Sequence, residues 1–554
     1  MHTPSRIIKS LVAKAFGRTL DSNTDCQVEE GTPLASNKTW QSEFAKLHAK
    51  EHEALQGGGE ARLEKLRQRG MMTAREKVEY LLDRSSFMEL NMLAEHQCHD
   101  FGMDQKKFLG DGVVTGHGKI NGRKVFIFSE DSSVMGGSTG KTHGAKIHYV
   151  LRLARENMVP AICLYASAGA RIQEGMDNVY GVTGMFYQNT LNSGIVPQIA
   201  AIMGACTGGA AYSAALCDFV FQVEKTSHMF ITGPAVVKEV TGEEISFEAL
   251  GGAMVHASTS GVVHRTAISD QDCLDQIKGL FAYLPQNNQE SPARVRCADP
   301  VDRETPELTD IVPIEKQKTY DIKQVITTIV DNRKFFEIHS RFAKSIVVGF
   351  AHMAGMAVGI VANNPWVMGG CLDIDASDKA ARFIRTCDAY NIPLVSLVDV
   401  PGFMPGVDQE HNGIIRHGAK MLYAWTEATV PKISVVLRKM YGGSIPAMGV
   451  HEIGFDQVFA WTSAEMQMVG AEPAVKILYR RELEAAADPE QFFNEKVREY
   501  QDTYLTPYHS ASRSVIDAVI HPKDTRKRVV AALEMLSGKA HPPRQYRKHG
   551  NIPL

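Results

Sequence analysis

Short apolar runs that end in glycine-rich turns recur along the chain, and they recur in pairs about 233 residues apart. Residues 162–165 and 394–398 are almost entirely apolar, as is typical of short strands that are buried on both faces. Residues 199–203 and 433–437 form a second pair of such runs. The small residues at 210–216 follow a glycine turn and predict the start of a tightly packed helix. The pattern therefore predicts an α/β protein.

The glycine landmarks of one half match those of the other half with at most one residue of slippage. Val134-Met135-Gly136-Gly137 matches Val367-Met368-Gly369-Gly370, Ala168-Gly169-Ala170 matches Pro401-Gly402-Phe403, and Thr207-Gly208-Gly209-Ala210 matches Tyr441-Gly442-Gly443-Ser444. The match covers about 100 residues of each half, whereas solenoid repeats span roughly 20–50 residues. The sequence therefore predicts two tandem α/β domains that are related by internal duplication.

The duplicated turns carry glycine where a predicted strand ends. A glycine turn that opens a helix leaves backbone N–H groups pointing into open space, where an anion or a developing oxyanion can bind. In the first copy, the turns around Gly169 and Gly208-Gly209 would supply donors from two neighbouring loops, as in an oxyanion hole. The alternative is that these glycines only permit sharp turns and close packing. Because the set of turns is complete in both copies, we favour a binding role.

Composition narrows the class of ligand. The 554 residues carry 60 Lys and Arg against 63 Asp and Glu, a net charge of −3 that gives no indication of nucleic-acid binding. A neutral or small charged substrate is therefore expected. The nine cysteines show no metal-binding spacing and several lie in apolar runs, so we expect free buried thiols in a reducing compartment and no structural metal.

One uncharged segment is long enough to cross a membrane. Residues 195–217 contain no charged side chain, but Pro197, Gly204 and the pair Gly208-Gly209 divide the segment into a strand, a turn and a helix start. We therefore interpret it as protein core and expect no contact with a membrane.

The first 20 residues have the composition of a targeting segment. They contain Arg6, Lys9, Lys14 and Arg18, no acidic residue, and apolar residues that can share one helix face. This composition is typical of a mitochondrial transit peptide, and a flexible basic tail is the alternative. The prediction is a location in the mitochondrial matrix, or in the cytoplasm if the segment is not a transit peptide.

Several long and unusual strings identify a family. They are Phe230-Ile231-Thr232-Gly233-Pro234, Gly261-Val262-Val263-His264-Arg265, Gly370-Cys371-Leu372-Asp373-Ile374, Val398-Asp399-Val400-Pro401-Gly402-Phe403 and Gly413-Ile414-Ile415-Arg416-His417-Gly418. With them, the chain from about residue 38 onward resembles the carboxyltransferase (beta) subunit of biotin-dependent acyl-CoA carboxylases, most closely the propionyl-CoA carboxylase group.

The resemblance implies two crotonase-like domains of the ββα-superhelix type. Residues 1–36 would be a tail or transit peptide, 37–295 the domain on the acyl-CoA side, and 296–554 the domain on the biotin side. It also implies a homohexamer, a trimer of dimers with the active site between protomers. Because the chain shows neither an ATP-binding loop nor a biotinylation site, an alpha subunit with biotin carboxylase and biotin carrier domains is expected as its partner in an ATP-dependent complex. No covalent cofactor is expected on this chain.

The resemblance also assigns roles to the turns. Gly208 and Gly209, with Ala170, would bind the thioester oxygen of the acyl-CoA, and Gly443 and Ser444, with Phe403, would bind the biotin carbonyl oxygen. No side-chain base is required. Further substrate contacts are expected from Gly169, Arg171, Gln173, Gly402, Ile445 and Pro446. For Arg171 an ion pair with Glu174 is an equal alternative, and His264 and Asp399 are expected to be structural.

The turns depart from the propionyl pattern at a few positions. Ala166 and Ala168 stand where those relatives usually have Asp and Gly, and Pro446 replaces an Asp near the acyl end of the pocket. The first hypothesis is carboxyl transfer from carboxybiotin to a short-chain acyl-CoA, with propionyl-CoA ahead of acetyl-, butyryl- and branched acyl-CoA. The alternatives are the decarboxylase subunit of a biotin-dependent sodium pump and a non-catalytic scaffold subunit. A hydratase or isomerase of the crotonase type ranks below these, because no obvious pair of carboxylates follows either turn.

Overall fold

The computed structural model describes residues 39–539 and 549–554, and two eight-stranded mixed sheets form its framework. The first sheet contains β1 Met88–Leu90, β2 Val113–Ile120, β3 Arg123–Glu130, β4 Ala161–Ser167, β5 Gln198–Thr207, β6 Phe219–Val223, β7 His228–Phe230 and β8 Arg265–Ala267. The second sheet contains β9 Phe335–Ile338, β10 Ile346–Met353, β11 Met356–Asn363, β12 Leu394–Val400, β13 Lys432–Tyr441, β14 Gln457–Trp461, β15 Glu465–Gln467 and β16 Ala518–Ile520.

The two sheets have the same topology. The first runs in the order β1-β2-β3-β4-β5-β6-β8 with β7 beside β5, and the second runs β9-β10-β11-β12-β13-β14-β16 with β15 beside β13. Each begins with antiparallel strands and is parallel from its third strand onward. The predicted α/β fold and its duplication are therefore confirmed, with crotonase-like domains in tandem.

Helices connect and cover the strands. In the first half they are α1 Trp40–Leu55, α2 Glu60–Gln68, α3 Ala74–Leu81, α4 Lys141–Glu156, α5 Met176–Asn192, α6 Gly209–Ala215, α7 Pro234–Thr241, α8 Phe247–Gly251, α9 Ala253–Ser258 and α10 Asp270–Phe281. In the second half they are α11 Leu308–Ile311, α12 Ile322–Ile329, α13 Ile374–Ala389, α14 Val407–His411, α15 Ile414–Glu427, α16 Ser444–Met448, α17 Ala471–Leu478, α18 Arg480–Ala485, α19 Pro489–Tyr504, α20 Pro507–Ala511 and α21 Thr525–Met535. Short 3₁₀ turns lie at 100–105, 135–137, 172–174, 331–333, 368–370, 451–453, 522–524 and 536–538.

Local chemistry explains where these elements begin. Every residue of β4 and of β12 is buried, which accounts for their apolar composition. A capping box between Thr73 and Glu76 starts α3, and the Asp373 carboxylate accepts the Ala376 N–H at 2.7 Å to start α13.

The uncharged segment 195–217 is protein core, as predicted. It forms β5 and α6, and most of its side chains are buried. Among residues 39–539 and 549–554, no helix has both the length and the apolar composition to cross a bilayer.

Eight cysteines lie in this part of the chain, all as free thiols. The predicted targeting segment at 1–20 lies outside the described residues and stays a prediction.

A buried lysine occupies the same place in each half. Lys146 on α4 donates to the carbonyl oxygens of Gly110 and Val113, and Lys379, 233 residues later on α13, donates to those of Ala343 and Ile346. Lys379 also donates to two further backbone carbonyls, at 339 and 342. Each ammonium group therefore ties its helix to the loop that precedes the long hairpin of its sheet.

Substitution of Lys379 by Met should destabilise the fold. The variant leaves up to four buried carbonyl groups without their donor, and a buried unsatisfied polar group costs about 1–3 kcal/mol. We expect the free energy of unfolding, measured by denaturant titration, to fall by at least about 2 kcal/mol. The exposed Lys318→Met is the control and should change it by less than about 1 kcal/mol. Equal midpoints for Lys379→Met and the native chain would contradict this role.

Candidate active site

A single bridge residue orients the turn that follows β4. The Thr139 N–H donates to the Gly169 carbonyl oxygen at 2.8 Å, and the Arg171 N–H donates to the Thr139 carbonyl oxygen at 2.9 Å. In a parallel bridge, the residue between two such partners points its own N–H away from the bridge. The N–H of Ala170 is therefore directed to the opposite side, and it has no hydrogen-bond partner among the described residues.

The turn after β12 repeats this geometry. The Leu372 N–H donates to the Gly402 carbonyl oxygen at 3.2 Å, and the Met404 N–H donates to the Leu372 carbonyl oxygen at 2.8 Å. Phe403 lies between the two, as Ala170 does in the first half, and its N–H has no acceptor in the part of the chain that the structure describes. Both the bridge residue and the donor residue recur at an offset of 233.

In the second turn of the first half, one of the donors predicted from the sequence is wrong. The Gly208 N–H donates to the Phe230 carbonyl oxygen at 3.1 Å, and the Gly442 N–H donates in the same way to Gln467 at 3.1 Å. Gly208 is therefore not an available donor, contrary to the prediction. With φ of +61° it provides the left-handed turn, and the partnerless N–H belongs to the next residue, Gly209.

Gly443 is the counterpart of Gly209 in the second half. Its N–H and that of Ser444 have no partner within residues 39–539 and 549–554. The Ser444 hydroxyl donates to the Tyr441 carbonyl oxygen at 2.6 Å, which fixes the turn from inside. Tyr441 itself donates its hydroxyl to Glu465, and burial together with that bond raises the pKa of Tyr441 above its ordinary value.

The two turns of each half lie against each other. A Cβ placed on Gly169 would lie 3.3 Å from the Thr207 carbonyl oxygen, and one placed on Gly443 would lie 3.6 Å from Phe403 Cδ2. We call residues 168–171 with 207–210 the first turn pair, and residues 401–404 with 441–444 the second turn pair. Each pair presents backbone N–H donors from two adjacent strand ends, as an oxyanion hole requires.

An irregularity in strand pairing determines how far the second turn of each pair extends relative to the first turn. In the first sheet, Tyr165 pairs with Ile202, but Ser167, only two residues on, pairs with Cys206. The second sheet repeats this shift between the pairs 398/436 and 400/440. Two extra residues in β5 and in β13 therefore advance the second turn of each pair towards the first.

Asp399 stabilises this irregularity in the second half. Its buried carboxylate accepts the Arg438 Nε–H at 2.7 Å, the Tyr320 hydroxyl at 2.9 Å and the Lys439 N–H at 3.2 Å. Burial raises the pKa of the Tyr320 hydroxyl, so that it remains a donor to the carboxylate. The bond to the Lys439 N–H shows that Asp399 braces backbone, as expected.

Arg171 is structural rather than available to substrate. Its guanidinium is 1% exposed and donates to the Asp111 carboxylate at 2.6 Å, the Glu174 carboxylate at 2.8 Å and the Ser138 carbonyl oxygen at 2.8 Å. The ion-pair alternative is therefore the better description of Arg171. His264 is also a packing residue, because its Nδ1 accepts the Val220 N–H and burial lowers its pKa.

The remaining predicted residues surround the turns. Gly169 and Gly402 precede the two donors and accept bonds from the bridge residues. Gln173 lines a cleft of about 1040 Å³ beside the first turn pair, where Lys141 and Tyr180 also lie. Ile445 and Pro446 form the first turn of α16 and are half-buried.

The sequence interpretation missed the residues that orient the donors. Thr139 and Leu372 orient the donors through backbone bonds, and the additional contact of the Thr139 hydroxyl with Ser167 Oγ has no equivalent at Leu372, so their side chains carry no common signal. Glu130 was also missed, although it ends a strand whose residues 125–128 are all apolar and its buried carboxylate accepts the Ala166 N–H at 2.9 Å. A lone acidic residue at the end of a buried strand is the signal that would have identified it.

The matching glycines 209 and 443 should differ in their tolerance of a side chain. A Cβ on Gly209 would overlap Val182 Cγ1, whereas Gly443 has φ of −62° and only an ordinary contact with the Phe403 ring. We expect Gly209→Ala to lower the free energy of unfolding by about 1–3 kcal/mol through overpacking. Gly443→Ala should leave the thermal midpoint nearly unchanged.

The double variant Gly209→Ala/Val182→Ala tests the cause of this loss. It removes the overlapping methyl groups and should recover much of the midpoint lost in Gly209→Ala, with Val182→Ala alone as the control. An unchanged midpoint in Gly209→Ala, or no recovery in the double variant, would refute the steric explanation.

Comparisons with known proteins identify the family to which the chain belongs. The carboxyl transferase domain family matches residues 65–552. A propionyl-CoA carboxylase carboxyltransferase subunit from Haloferax mediterranei is 51% identical over 93% of this chain and 100% of its own. A methylmalonyl-CoA decarboxylase subunit alpha from Veillonella parvula is 49% identical over the same shares. The crystal structure of a transcarboxylase 12S hexamer with methylmalonyl-coenzyme A bound superposes with a TM-score of 0.92 at 48% identity, covering 94% of this chain and 100% of that one. The chain therefore belongs to the carboxyl transferase family of acyl-CoA carboxylases and their decarboxylase and transcarboxylase relatives.

Proposed function

We propose that the chain transfers a carboxyl group from carboxybiotin on a partner subunit to the α carbon of a short-chain acyl-CoA, with propionyl-CoA as the preferred substrate. The observation that carries the proposal is the presence of two matched turn pairs, one in each half. Each presents backbone N–H groups without partners among the described residues. A single hydrolase or hydratase reaction at one carbonyl group would need only one such pair.

The reaction needs two oxyanion sites. Charge develops on the thioester oxygen of the acyl-CoA and on the ureido oxygen of biotin, and fixed N–H groups in a water-poor site stabilise both. We assign the first oxygen to Ala170 and Gly209, and the second to Phe403 and Gly443 with Ser444 beside it. Carboxybiotin bound there would release CO2 by cleavage of its N–C bond, and the resulting ureido anion would accept the α proton. The enolate so formed would attack the CO2, so no side-chain base is required.

The departures from the propionyl pattern leave both turn pairs intact. Ala166 still offers its N–H to a carboxylate, that of Glu130. Pro446 is the third residue of α16, in the first helical turn, where a missing N–H breaks no helical bond. The scaffold hypothesis therefore loses its main support. The acidic side chains beside the turns, Glu130 and Asp399, both accept buried backbone N–H groups, which disfavours a hydratase or isomerase.

The choice of acyl group rests on the relatives. Their names refer to propionyl- and methylmalonyl-CoA, which differ by the carboxyl group that is transferred. We propose that Gln173 and the cleft beside it receive part of the CoA moiety, next to the first turn pair. Pro446 replaces an acidic side chain of the propionyl pattern, so we expect acetyl- and butyryl-CoA to be accepted more weakly rather than excluded.

The decarboxylase subunit of a sodium pump is the second candidate, and the similarity to a methylmalonyl-CoA decarboxylase subunit favours it. The two functions share the exchange of a carboxyl group between acyl-CoA and biotin, and they differ in the partner. Purification of the native complex would distinguish them. A biotin carboxylase in the complex supports the carboxylase, and an integral membrane partner without biotin carboxylase supports the decarboxylase.

Assembly and location follow as parts of the proposal. We propose a hexamer of this chain, a trimer of dimers, with an alpha subunit that carries biotin carboxylase and biotin carrier domains. The hexameric transcarboxylase relative supports this, as do exposed apolar side chains after the first turn pair, with Ile172 84% and Met176 80% exposed. The mitochondrial matrix is the proposed location.

Substitutions at Gly443 test the donor itself. With φ of −62°, position 443 accepts proline, which removes the N–H, and alanine, which keeps it. In the reverse assay, the purified chain transfers the carboxyl group of methylmalonyl-CoA to free biotin. We expect Gly443→Pro to lower kcat by about 10²–10³-fold and Gly443→Ala to remain near the native rate.

Two results would overturn the proposal. Equal rates for Gly443→Pro and Gly443→Ala, with both variants folded, would exclude a catalytic N–H at this position. In the reconstituted complex, a strong preference for 3-methylcrotonyl-CoA over propionyl-CoA would overturn the assigned substrate.

A further inference from the structure

The ring of Phe403 lies between two glycines. A Cβ placed on Gly418, in α15, would lie 3.0 Å from Phe403 Cε1 and 3.3 Å from Cζ. One placed on Gly443 would lie 3.6 Å from Cδ2 and 3.8 Å from Cε2 of the same ring. One edge of the ring therefore faces the helix, and the opposite edge faces the second turn. Phe403 is half-buried, so part of the ring remains accessible to a ligand at the second turn pair.

The backbone does not require glycine at position 418. Gly418 lies inside the 14-residue helix α15, and it is not among the glycines with positive φ. In a helix interior, glycine is less favourable than alanine. The three atoms nearest to a Cβ at this position all belong to the Phe403 ring. Close packing of the ring is therefore the reason for glycine that the structure provides.

Bonds to neighbouring helices hold α15 in place along its length. The Asp378 carboxylate of α13 lies 2.8 Å from His417 Nδ1 and 2.9 Å from Lys420 Nζ. Near the other end of the helix, the Trp425 indole N–H donates to the Ala447 carbonyl oxygen at 2.8 Å, which ties α15 to the helix directly after the second turn. Because the helix is held in this way, a side chain added beneath the ring would displace the ring towards the second turn.

The two halves have exchanged bulk between the turn and the helix. At an offset of 233, Ala170 corresponds to Phe403, and Met185 corresponds to Gly418. Met185 is fully buried in α5, whereas Ala170 is exposed. The first half therefore has the small residue at the donor and the large residue in the helix, and the second half has the reverse.

We propose that Gly418 is a specificity-determining residue: the absence of a side chain there places the Phe403 ring against α15 and keeps the second turn pair open to the flat ureido ring of biotin. A larger residue at this position pushes the ring towards Gly443 and narrows the site. The role of Gly418 rests on the proposed function, because that function assigns biotin to the second turn pair. The first turn pair is built from the other half and is unaffected.

The variant Gly418→Ala tests this role in the reverse assay, with free biotin and methylmalonyl-CoA varied separately. We expect the KM for free biotin to rise by on the order of tenfold, because a single methyl group in a fitted pocket changes recognition by roughly 10–200-fold. The KM for methylmalonyl-CoA should stay within about twofold of the native value. Equal changes in both KM values would indicate a general structural effect and would overturn the proposal.

Gly279→Ala is the matched control. It adds the same methyl group to a helix, α10, where the new Cβ would lie 3.5 Å from Cε2 of the Phe336 ring, an ordinary contact. We expect it to change neither KM value by more than about twofold.

Thermal unfolding tests the packing without any activity. Replacement of glycine by alanine in a helix interior normally stabilises, so Gly279→Ala should raise the midpoint. We expect Gly418→Ala to raise it in the Phe403→Ala background, where the ring is absent, but not in the native background. Equal shifts in the two backgrounds would show that the ring does not require glycine beneath it, and they would contradict the proposed role.

Binding of free biotin, measured by NMR titration, distinguishes failure of this role from failure of the proposed function. The dissociation constant should rise by on the order of tenfold in Gly418→Ala, and an unchanged constant would refute the role of Gly418. A native chain that binds biotin but transfers no carboxyl group would defeat the proposed function, while the two dissociation constants would still decide the role of Gly418. A native chain that binds no biotin would defeat both.

Discussion

The structure depends on backbone N–H groups that are left without partners at the ends of parallel strands. Ala170 and Gly443 are exposed and Gly209 and Phe403 are half-buried, so these N–H groups are accessible to a ligand, and the bonds that their neighbours make fix their direction. Here both neighbours of Ala170 and of Phe403 bond one bridge residue, which leaves the middle N–H no acceptor within the described residues. The N–H groups of Ala170 and Phe403 are free because the backbone bonds of the residues on either side direct them away from the bridge residue.

The two halves stabilise the same irregular strand pairing by different means. In the second half, Asp399 and Arg438 form a buried ion pair across the two extra residues. Arg438 also donates to three carbonyl groups between 313 and 318, which ties the connector before the second sheet to this point. In the first half the corresponding residues are Ala166 and Gly204, which are in close contact, and the carboxyl group that bonds the backbone of this segment is that of Glu130 instead. Backbone geometry is shared, while the side chains that support it are not.

The sequence predicted the fold well because the duplicated backbone requires glycine at repeated positions. Gly169 and Gly208 have positive φ, as do Gly402 and Gly442, and this requirement preserves the landmarks that revealed the duplication. The buried strands were evident from their apolar composition.

The donors were harder to predict, because two adjacent glycines look alike in a sequence. Only the bond from the Gly208 N–H to Phe230 shows that Gly209 has the free N–H. The bridge residues are Thr139 and Leu372, which share no side-chain chemistry, so no motif could identify them. Arg171 was ambiguous for a similar reason, since a charged residue after a turn can face solvent or, as here, lie buried between two carboxylates.

A pair of N–H donors does not by itself distinguish a thioester oxygen from a ureido oxygen, because both are planar carbonyl oxygens that gain charge. Under the proposed function, discrimination must come from the side chains at the donors. The first turn pair has the methyl group of Ala170, with Val182 packed behind Gly209. The second has the ring of Phe403, which contacts both Gly443 and Gly418. A small donor residue leaves space beside the oxygen for an acyl chain, whereas an aromatic ring narrows the site to a flat group. Under the proposed function, duplication of one backbone motif and divergence at a single side chain per turn would be sufficient to give one chain two oxyanion sites for different ligands.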